Sequence, residues 1–136
     1  MTLPTNTKPP NSTSQNTKPP RKSGLAHFLA AASYSAGGLR RLARESAFRQ
    51  EAVLGVVVLG GLALWGASGL ALVGAAALVL LLIAVEALNT ALEVLVDHLS
   101  PDWSQFAKDA KDLGSLAVAC TIGALGLYVL GVLIWG

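Results

Sequence analysis

Residues 69 to 97 read GLALVGAAALVLLLIAVEALNTALEVLVD, an uncharged apolar run that turns acidic at its end. No charged residue occurs between Ala52 and Val85. At a rise of about 1.5 Å per residue, one helix over that run would far exceed the roughly 30 Å hydrocarbon core of a bilayer, so the chain must fold back. The segment Gly-Ala-Ser-Gly at 66–69 is the only good turn signal. We therefore predict two membrane spans, at about 52–66 and 69–97.

A third span is predicted at about 113–135, which is again uncharged. Ser100 and Pro101 before it resemble a helix start, with the serine as N-cap and the proline in the first helical position. With the spans so placed, every Lys and Arg falls on one side, which the positive-inside rule assigns to the cytoplasm. The predicted topology has the N-terminus inside and the C-terminus outside.

Two segments precede the spans. Residues 1–23 are rich in Pro, Asn, Thr and Ser and contain an internal repeat, a composition that cannot bury enough surface to fold. We predict a disordered cytoplasmic tail there. Apolar residues recur at helical spacing over about 24–48, which predicts an amphipathic helix in the membrane interface. Residues 24–136 would then form one all-α membrane domain.

Composition limits the classes of function. Of the 136 residues, 53% are hydrophobic and 13% charged, which is too apolar for a soluble domain of this size. The formal net charge is only +2, and the basic residues do not interleave with aromatic ones, so we predict no nucleic-acid partner. Ser115, Ala119 and Gly123 form a small-residue face at helical spacing on the third span. Such a face favours oligomerisation, although small faces also pack within one chain.

Glu86, Asn89, Glu93 and Asp97 fall on one narrow face of a helix with 3.6 residues per turn. A solvated face where the helix leaves the bilayer is one interpretation, and it suits Asp97 best. Glu86 directly follows the apolar run, where a carboxylate is costly to keep charged, and this suits it to accept a proton from a hydroxyl. Glu93, nearer to water, fits a Mg²⁺ ligand shared with nucleotide phosphates.

Lys111 and Asp112, just before the third span, would bring a phosphate-binding cation and an acid to the same membrane depth. The sequence contains no Gly-x-x-x-x-Gly-Lys-Ser/Thr motif, which excludes a P-loop kinase. The polar residues at this depth therefore predict phosphate chemistry by a different kind of site.

Three blocks, in order, resemble the prokaryotic diacylglycerol kinase family: ESAFRQE at 45–51, VEALNTALE at 85–93 continuing to Asp97, and AKDLGS at 110–115. The likeness covers about residues 24 to 135. It implies a homotrimer of three-helix subunits, each with an amphipathic surface helix, in the bacterial cytoplasmic membrane. The implied activity transfers the γ-phosphate of Mg·ATP to the hydroxyl of a membrane lipid on the cytoplasmic side, giving phosphatidic acid from diacylglycerol.

The resemblance also implies a role for each matching residue. Glu86 corresponds to the proton acceptor, and Glu45 and Glu93 to the metal carboxylates. The residues implied to contact the nucleotide are Tyr34, Glu45, Glu93, Asp97, Asp102, Trp103, Ser104, Lys111 and Asp112. The residues implied to contact the lipid are His27, Ala47, Phe48, Arg49, Gln50, Glu51, Glu86, Asn89 and Ser115.

Several of these residues, and the function itself, are open to other interpretations. His27 stands where members of the family often carry an arginine, and it is equally consistent with an interfacial residue that has no ligand. Arg49 and Gln50 are equally consistent with ordinary residues at the membrane surface. The same chemistry on a polyprenol such as undecaprenol is the nearest rival function. A non-enzymatic membrane subunit whose acidic face binds ions is the rival from another class.

Overall fold

The computed structural model describes residues 24–135, which form four helices. They are α1 (Leu25–Leu42), α2 (Ser46–Trp65), α3 (Gly69–Leu99) and α4 (Gln105–Trp135). The last three are each long and apolar enough to cross a membrane. This confirms the predicted all-α membrane fold with three spans and a preceding helix. The tail predicted at 1–23 lies outside the described residues.

The connection between α1 and α2 lies earlier in the chain than the sequence indicated. The surface helix was expected to reach about residue 48, but α1 ends at Leu42 and α2 begins at Ser46. Glu45 adopts an extended backbone conformation, which turns the chain. Its carboxylate pairs with Arg41, and Nη1 of Arg49 donates a hydrogen bond to the carbonyl of Arg44 at 3.0 Å. These local contacts hold the short connection and leave residues 46–48 in the first spanning helix.

The turn between α2 and α3 lies where the glycine-containing segment predicted it. Gly66 adopts a left-handed conformation with φ 84°, which favours a residue without a Cβ atom. The amides of Gly66 and Ala67 donate to the carbonyls of Ala63 and Leu62, the pattern of a Schellman C-cap. The Ser68 hydroxyl then accepts from the amide of Ala71 at 3.2 Å and caps the start of α3.

The predicted start of the last helix was wrong. Ser100 terminates α3, and its hydroxyl contacts the Ser104 hydroxyl at 2.8 Å. Ser104 is the true N-cap, since its hydroxyl accepts from the amide of Ala107 at 3.2 Å. Pro101 consequently lies in the loop, and α4 begins at Gln105. Two serines offer the same capping chemistry, and Ser104 is the one whose hydroxyl accepts from a backbone amide of α4.

Helix α3 is central, since it packs against each of the other three helices. Leu82 of α3 and Leu125 of α4 are fully buried between them. At the other end of the α3–α4 contact, the Tyr128 hydroxyl donates to the carbonyl of Ala71 at 2.9 Å and covers Gly74. The face formed by Ser115, Ala119 and Gly123 is exposed in this chain. Packing within the chain therefore does not use that small-residue face.

Candidate active site

The acidic face of α3 runs from a buried end to an exposed end. Glu86 is only 3% exposed, Asn89 and Glu93 are half-buried, and Asp97 is exposed. The order follows from the helix itself, because successive members of the face lie about one turn further along the axis. One helix thus presents carboxylates in environments that range from buried to solvent-accessible.

Glu86, Asn89 and Glu93 open into a cavity of about 290 Å³. We call it the carboxylate cavity. Its lining comes from the start of α2, the middle of α3 and α4: Glu45, Ser46, Ala47, Glu51, Glu86, Asn89, Thr90, Glu93, Ser115 and Val118. Four carboxylates therefore meet in one space, and no Lys or Arg of residues 24–135 is part of that lining. Glu45 already pairs with Arg41, which lies outside the lining. The other three carboxylates can all stay charged only if a cation enters the cavity, and otherwise they take up protons.

Glu51 is the second deeply buried acid of this cavity. It is 6% exposed, and its Oε2 atom is buried without a hydrogen-bond partner among the described residues. A buried carboxylate oxygen without a partner is costly, and the cost falls when the carboxyl group is protonated or accepts from a group that enters the cavity. The resemblance assigned Glu51 to the lipid site, and the structure places it in the same space as Glu86.

Asn89 links the lining of the carboxylate cavity to Glu93, the carboxylate that the sequence analysis assigned to the metal. Its Nδ2 atom donates to Oε1 of Glu93 at 3.2 Å. Its Oδ1 atom is buried and has no hydrogen-bond partner in the part of the chain that the structure describes. The NH₂ group of the Asn89 side chain therefore faces Glu93, which lies one turn further along α3.

A second cavity, of about 370 Å³, lies between the end of α3, the loop and the start of α4. We call it the loop cavity. It is lined by Asp97, Ser100, Pro101, Asp102, Trp103, Ser104, Ala107, Lys108, Lys111 and Asp112. Here the charges are paired: Nζ of Lys111 donates to Asp97 at 2.5 Å, and Nζ of Lys108 to Asp112 at 2.5 Å. Trp103 is 79% exposed, so its ring face is available to a flat ligand.

The predicted site residues therefore separate into three groups. The carboxylate cavity contains Glu45, Ala47, Glu51, Glu86, Asn89, Glu93 and Ser115. The loop cavity contains Asp97, Asp102, Trp103, Ser104, Lys111 and Asp112. The remaining five lie elsewhere: His27 and Tyr34 are exposed on α1, Phe48 is half-buried, and Arg49 and Gln50 line a depression beside Ser46 and Val53.

The structure adds residues that the sequence analysis did not single out. Thr90 and Ser46 line the carboxylate cavity, and Ser100 and Lys108 line the loop cavity. Ser46 lies inside the block ESAFRQE at 45–51, and Thr90 directly follows Asn89. Their positions next to predicted site residues could have identified both from the sequence. Among residues 24–135 no group of three or more His, Cys, Asp or Glu side chains is arranged around one point as a complete metal site.

Comparison with known proteins agrees with the geometry. The protein-family model described as prokaryotic diacylglycerol kinase matches residues 33–134 of this chain. A diacylglycerol kinase of Sinorhizobium is 44% identical over 115 residues, covering 85% of this chain and 84% of that protein. The diacylglycerol kinase of Pseudomonas aeruginosa is 39% identical over 104 residues, covering 74% and 85%. The diacylglycerol kinase of Escherichia coli K12 is 36% identical over 101 residues, covering 73% and 82%.

Proposed function

The chain belongs to the prokaryotic diacylglycerol kinase family and is a membrane-embedded kinase, and from that premise we propose that phosphoryl transfer to diacylglycerol takes place in the carboxylate cavity. The observation that carries the proposal is the meeting of Glu86, Glu51 and Glu93 in one cavity, between the start of α2 and the interior of α3. The comparisons do not favour a non-enzymatic subunit or a polyprenol kinase. The product of the proposed reaction is phosphatidic acid.

Glu86 is the proposed general base. Its carboxylate takes the proton from the lipid hydroxyl, the hydroxyl oxygen bonds to the γ-phosphorus, and ADP leaves with the electrons of the broken bond. Burial supports this assignment, because a carboxylate at 3% exposure has few waters to stabilise its charge. The lack of a basic residue in the lining supports it further, since a tight ion pair would compete for the proton.

Glu45 and Glu93 would hold Mg²⁺ together with the nucleotide phosphates. Both line the carboxylate cavity, and both offer the hard oxygen donors that Mg²⁺ prefers. Two carboxylates without a third protein ligand fit this ion, which usually completes its coordination with water and phosphate oxygens. When bound, Mg²⁺ would neutralise negative charge on the phosphoryl group. The chain's own part is to keep both carboxylates in one cavity.

The loop cavity is the proposed site of the nucleotide. Glu93 in one cavity and Asp97 in the other are four residues apart on α3, which is about 6 Å along the helix axis. A nucleotide held at the loop cavity can thus extend its phosphates toward Glu93. Lys111 supplies a cation for those phosphates, and it must exchange its exposed pair with Asp97 to do so.

An apolar groove supports a lipid as acceptor. A cavity of about 740 Å³ lies between α1 and α3 and is lined mainly by small and aliphatic side chains, among them Leu39, Ile83 and Val94. Thr90 lines both this groove and the carboxylate cavity. An acyl chain in the groove would therefore place its headgroup near Glu86.

The predicted setting completes the proposal: a homotrimer in the bacterial cytoplasmic membrane, with both cavities on the cytoplasmic side. The one-sided distribution of Lys and Arg supports the orientation. In a Cys120→Ala background, a cysteine at Ser68 should react with a membrane-impermeant thiol reagent from outside, and one at Ser104 should not. The opposite labelling pattern would refute the orientation.

The function is tested by supplying purified protein with radiolabelled ATP and either diacylglycerol or undecaprenol in matched micelles. We expect label to enter phosphatidic acid and to depend on Mg²⁺. Asp109→Asn is a matched control, because Asp109 is an exposed acid of α4 that is held by Gln105 and lines neither cavity. If undecaprenol is labelled as fast as diacylglycerol or faster, the proposed acceptor is wrong and undecaprenol takes its place. If neither lipid is labelled, the proposed function is overturned.

A further inference from the structure

Gly114 of α4 lies directly against the side chain of Asn89. A Cβ atom built on Gly114 would lie 2.2 Å from Oδ1 of Asn89 and 3.2 Å from Cδ2 of Leu92. The first distance is far below any van der Waals contact, so no side chain fits at position 114 while Asn89 keeps its place. Gly114 is thus a notch in α4 that receives the Asn89 amide.

The notch also determines which end of the amide faces the cavity. Oδ1 of Asn89 is buried on the Gly114 side without a hydrogen-bond partner, while Nδ2 donates to Glu93 at 3.2 Å. A flipped amide would bury an unpaired NH₂ group against α4 and turn its oxygen toward the carboxylate of Glu93. The observed orientation avoids that repulsion, because Oδ1 lies against the backbone of Gly114 while Nδ2 faces Glu93.

We propose that Gly114 is a positioning residue for phosphoryl transfer: it holds the Asn89 amide so that Asn89 orients the Glu93 carboxylate toward the metal. This inference rests on the proposed role of Glu93 as a Mg²⁺ ligand. Groups that orient a metal-binding carboxylate by hydrogen bonding commonly change metal affinity or activity about 10- to 100-fold when they are removed. Asn89 is such a group, and Gly114 acts only through it.

Alanine at position 114 is the direct perturbation. The least costly relief of the clash is rotation of the short Asn89 side chain, which carries Nδ2 away from Glu93. Gly114→Ala should therefore raise the Mg²⁺ concentration for half-maximal activity about tenfold, as Asn89→Ala should. Because both changes remove one interaction, the double variant should match Asn89→Ala and not multiply the two effects.

Gly74→Ala is the matched control for packing. A Cβ atom there would lie 2.1 Å from the Tyr128 hydroxyl, so the variant disturbs the same pair of helices, α3 and α4, with a similar clash but away from both cavities. It should lower thermal stability in detergent and leave the half-saturating Mg²⁺ concentration at the parent value. A shift in Mg²⁺ dependence in Gly114→Ala but not in Gly74→Ala separates positioning from a loss of folded protein.

The measurements are phosphate transfer to diacylglycerol as a function of Mg²⁺ and, without turnover, Mg²⁺ binding followed by calorimetry in the presence of a non-hydrolysable ATP analogue. Both are made for the parent, the four variants and Glu93→Gln. If Glu93→Gln shifts the Mg²⁺ dependence and Gly114→Ala lowers only the maximal rate, the notch inference is overturned. If Glu93→Gln itself produces no shift, the metal assignment in the proposed function fails instead. Should Gly114→Ala alone not fold, a double variant with Asn89→Ala that folds and shows the Asn89→Ala dependence supports the inference, and one that stays unfolded refutes it.

Discussion

The carboxylate cavity and the loop cavity lie about one helical turn apart on α3 but are built in opposite ways. In the first, the deepest acids are buried, and Glu51 and Glu86 form no ion pair within residues 24–135. In the second, Lys111 and Lys108 each pair with an acid near water. Exposed pairs exchange partners at little cost, whereas buried carboxylates without partners are expensive.

The difference indicates how one small chain divides the work of a kinase. The exposed pairs of the loop cavity can open for a nucleotide that arrives from solution, since screening by water keeps their attraction weak. In our proposal the buried Glu86 accepts a proton and the half-buried Glu45 and Glu93 hold the metal ion, and a low-dielectric setting strengthens both interactions. Changes in the carboxylate cavity should therefore affect catalysis more than changes in the loop cavity.

The largest effect is expected from Glu86→Gln, which keeps the shape of the side chain and removes its basicity. Removal of a general base typically costs about 10² to 10⁴ in rate. ATP binding should survive, because the loop cavity is untouched. Single-turnover transfer and ATP affinity measured on the same preparation test this. If Glu86→Gln transfers phosphate at the parent rate, Glu86 is not the base, and Glu51 or Glu93 must take its place.

A smaller, acceptor-specific effect is expected from Glu51→Gln. We propose that the unpartnered Oε2 atom accepts from the lipid hydroxyl in the bound ground state, before Glu86 takes the proton, and a hydrogen bond to a charged group contributes about 1.5–3 kcal/mol. We expect the apparent KM for diacylglycerol to rise at least about tenfold while the KM for ATP stays near the parent value. Steady-state kinetics with each substrate varied in turn provide the measurement. Equal shifts in both KM values would show that Glu51 supports the cavity as a whole.

Lys111→Met probes the loop cavity. It removes a cation from the proposed phosphate site, so the KM for ATP should rise on the order of tenfold with little change in maximal rate. Lys108→Met removes the same charge from the same cavity but leaves the pair of Lys111 with Asp97, and it should raise the KM by less. Both effects should shrink in high salt. A loss of maximal rate at saturating ATP in Lys111→Met would assign this lysine to the transfer step.

The smallest effect is expected from deleting residues 2–22. Both cavities are lined by residues between Glu45 and Val118, and the composition of the tail predicts no packed element. Turnover and the KM values for both substrates should remain near those of the full chain. A large loss of activity with normal membrane insertion would show that the tail contributes to one of the two cavities.

Much of the fold could be predicted because its signals are local. The uncharged run and the Gly66 turn specified where the chain reverses, and the structure shows both. The spacing of Glu86, Asn89 and Glu93 was sufficient to place them on one face, because an α-helix advances by a constant angle per residue. The helix start at Ser100 was predicted wrongly, since two serines with equal capping chemistry stand four residues apart.

What the sequence by itself determined is the set of helices and the order of the acids along one face of α3, because apolar length and helical period act along one segment at a time. The resemblance implied that Glu51 and Glu86 serve one lipid site, but only the tertiary structure decided that both line the same cavity as Glu45 and Glu93. The same holds for the separation of Asp97 from the rest of its face, and for the fit of Gly114 against Asn89. These relations depend on how each helix rotates and approaches its neighbour. That is set by side-chain packing summed over the whole interface, and no local pattern encodes it.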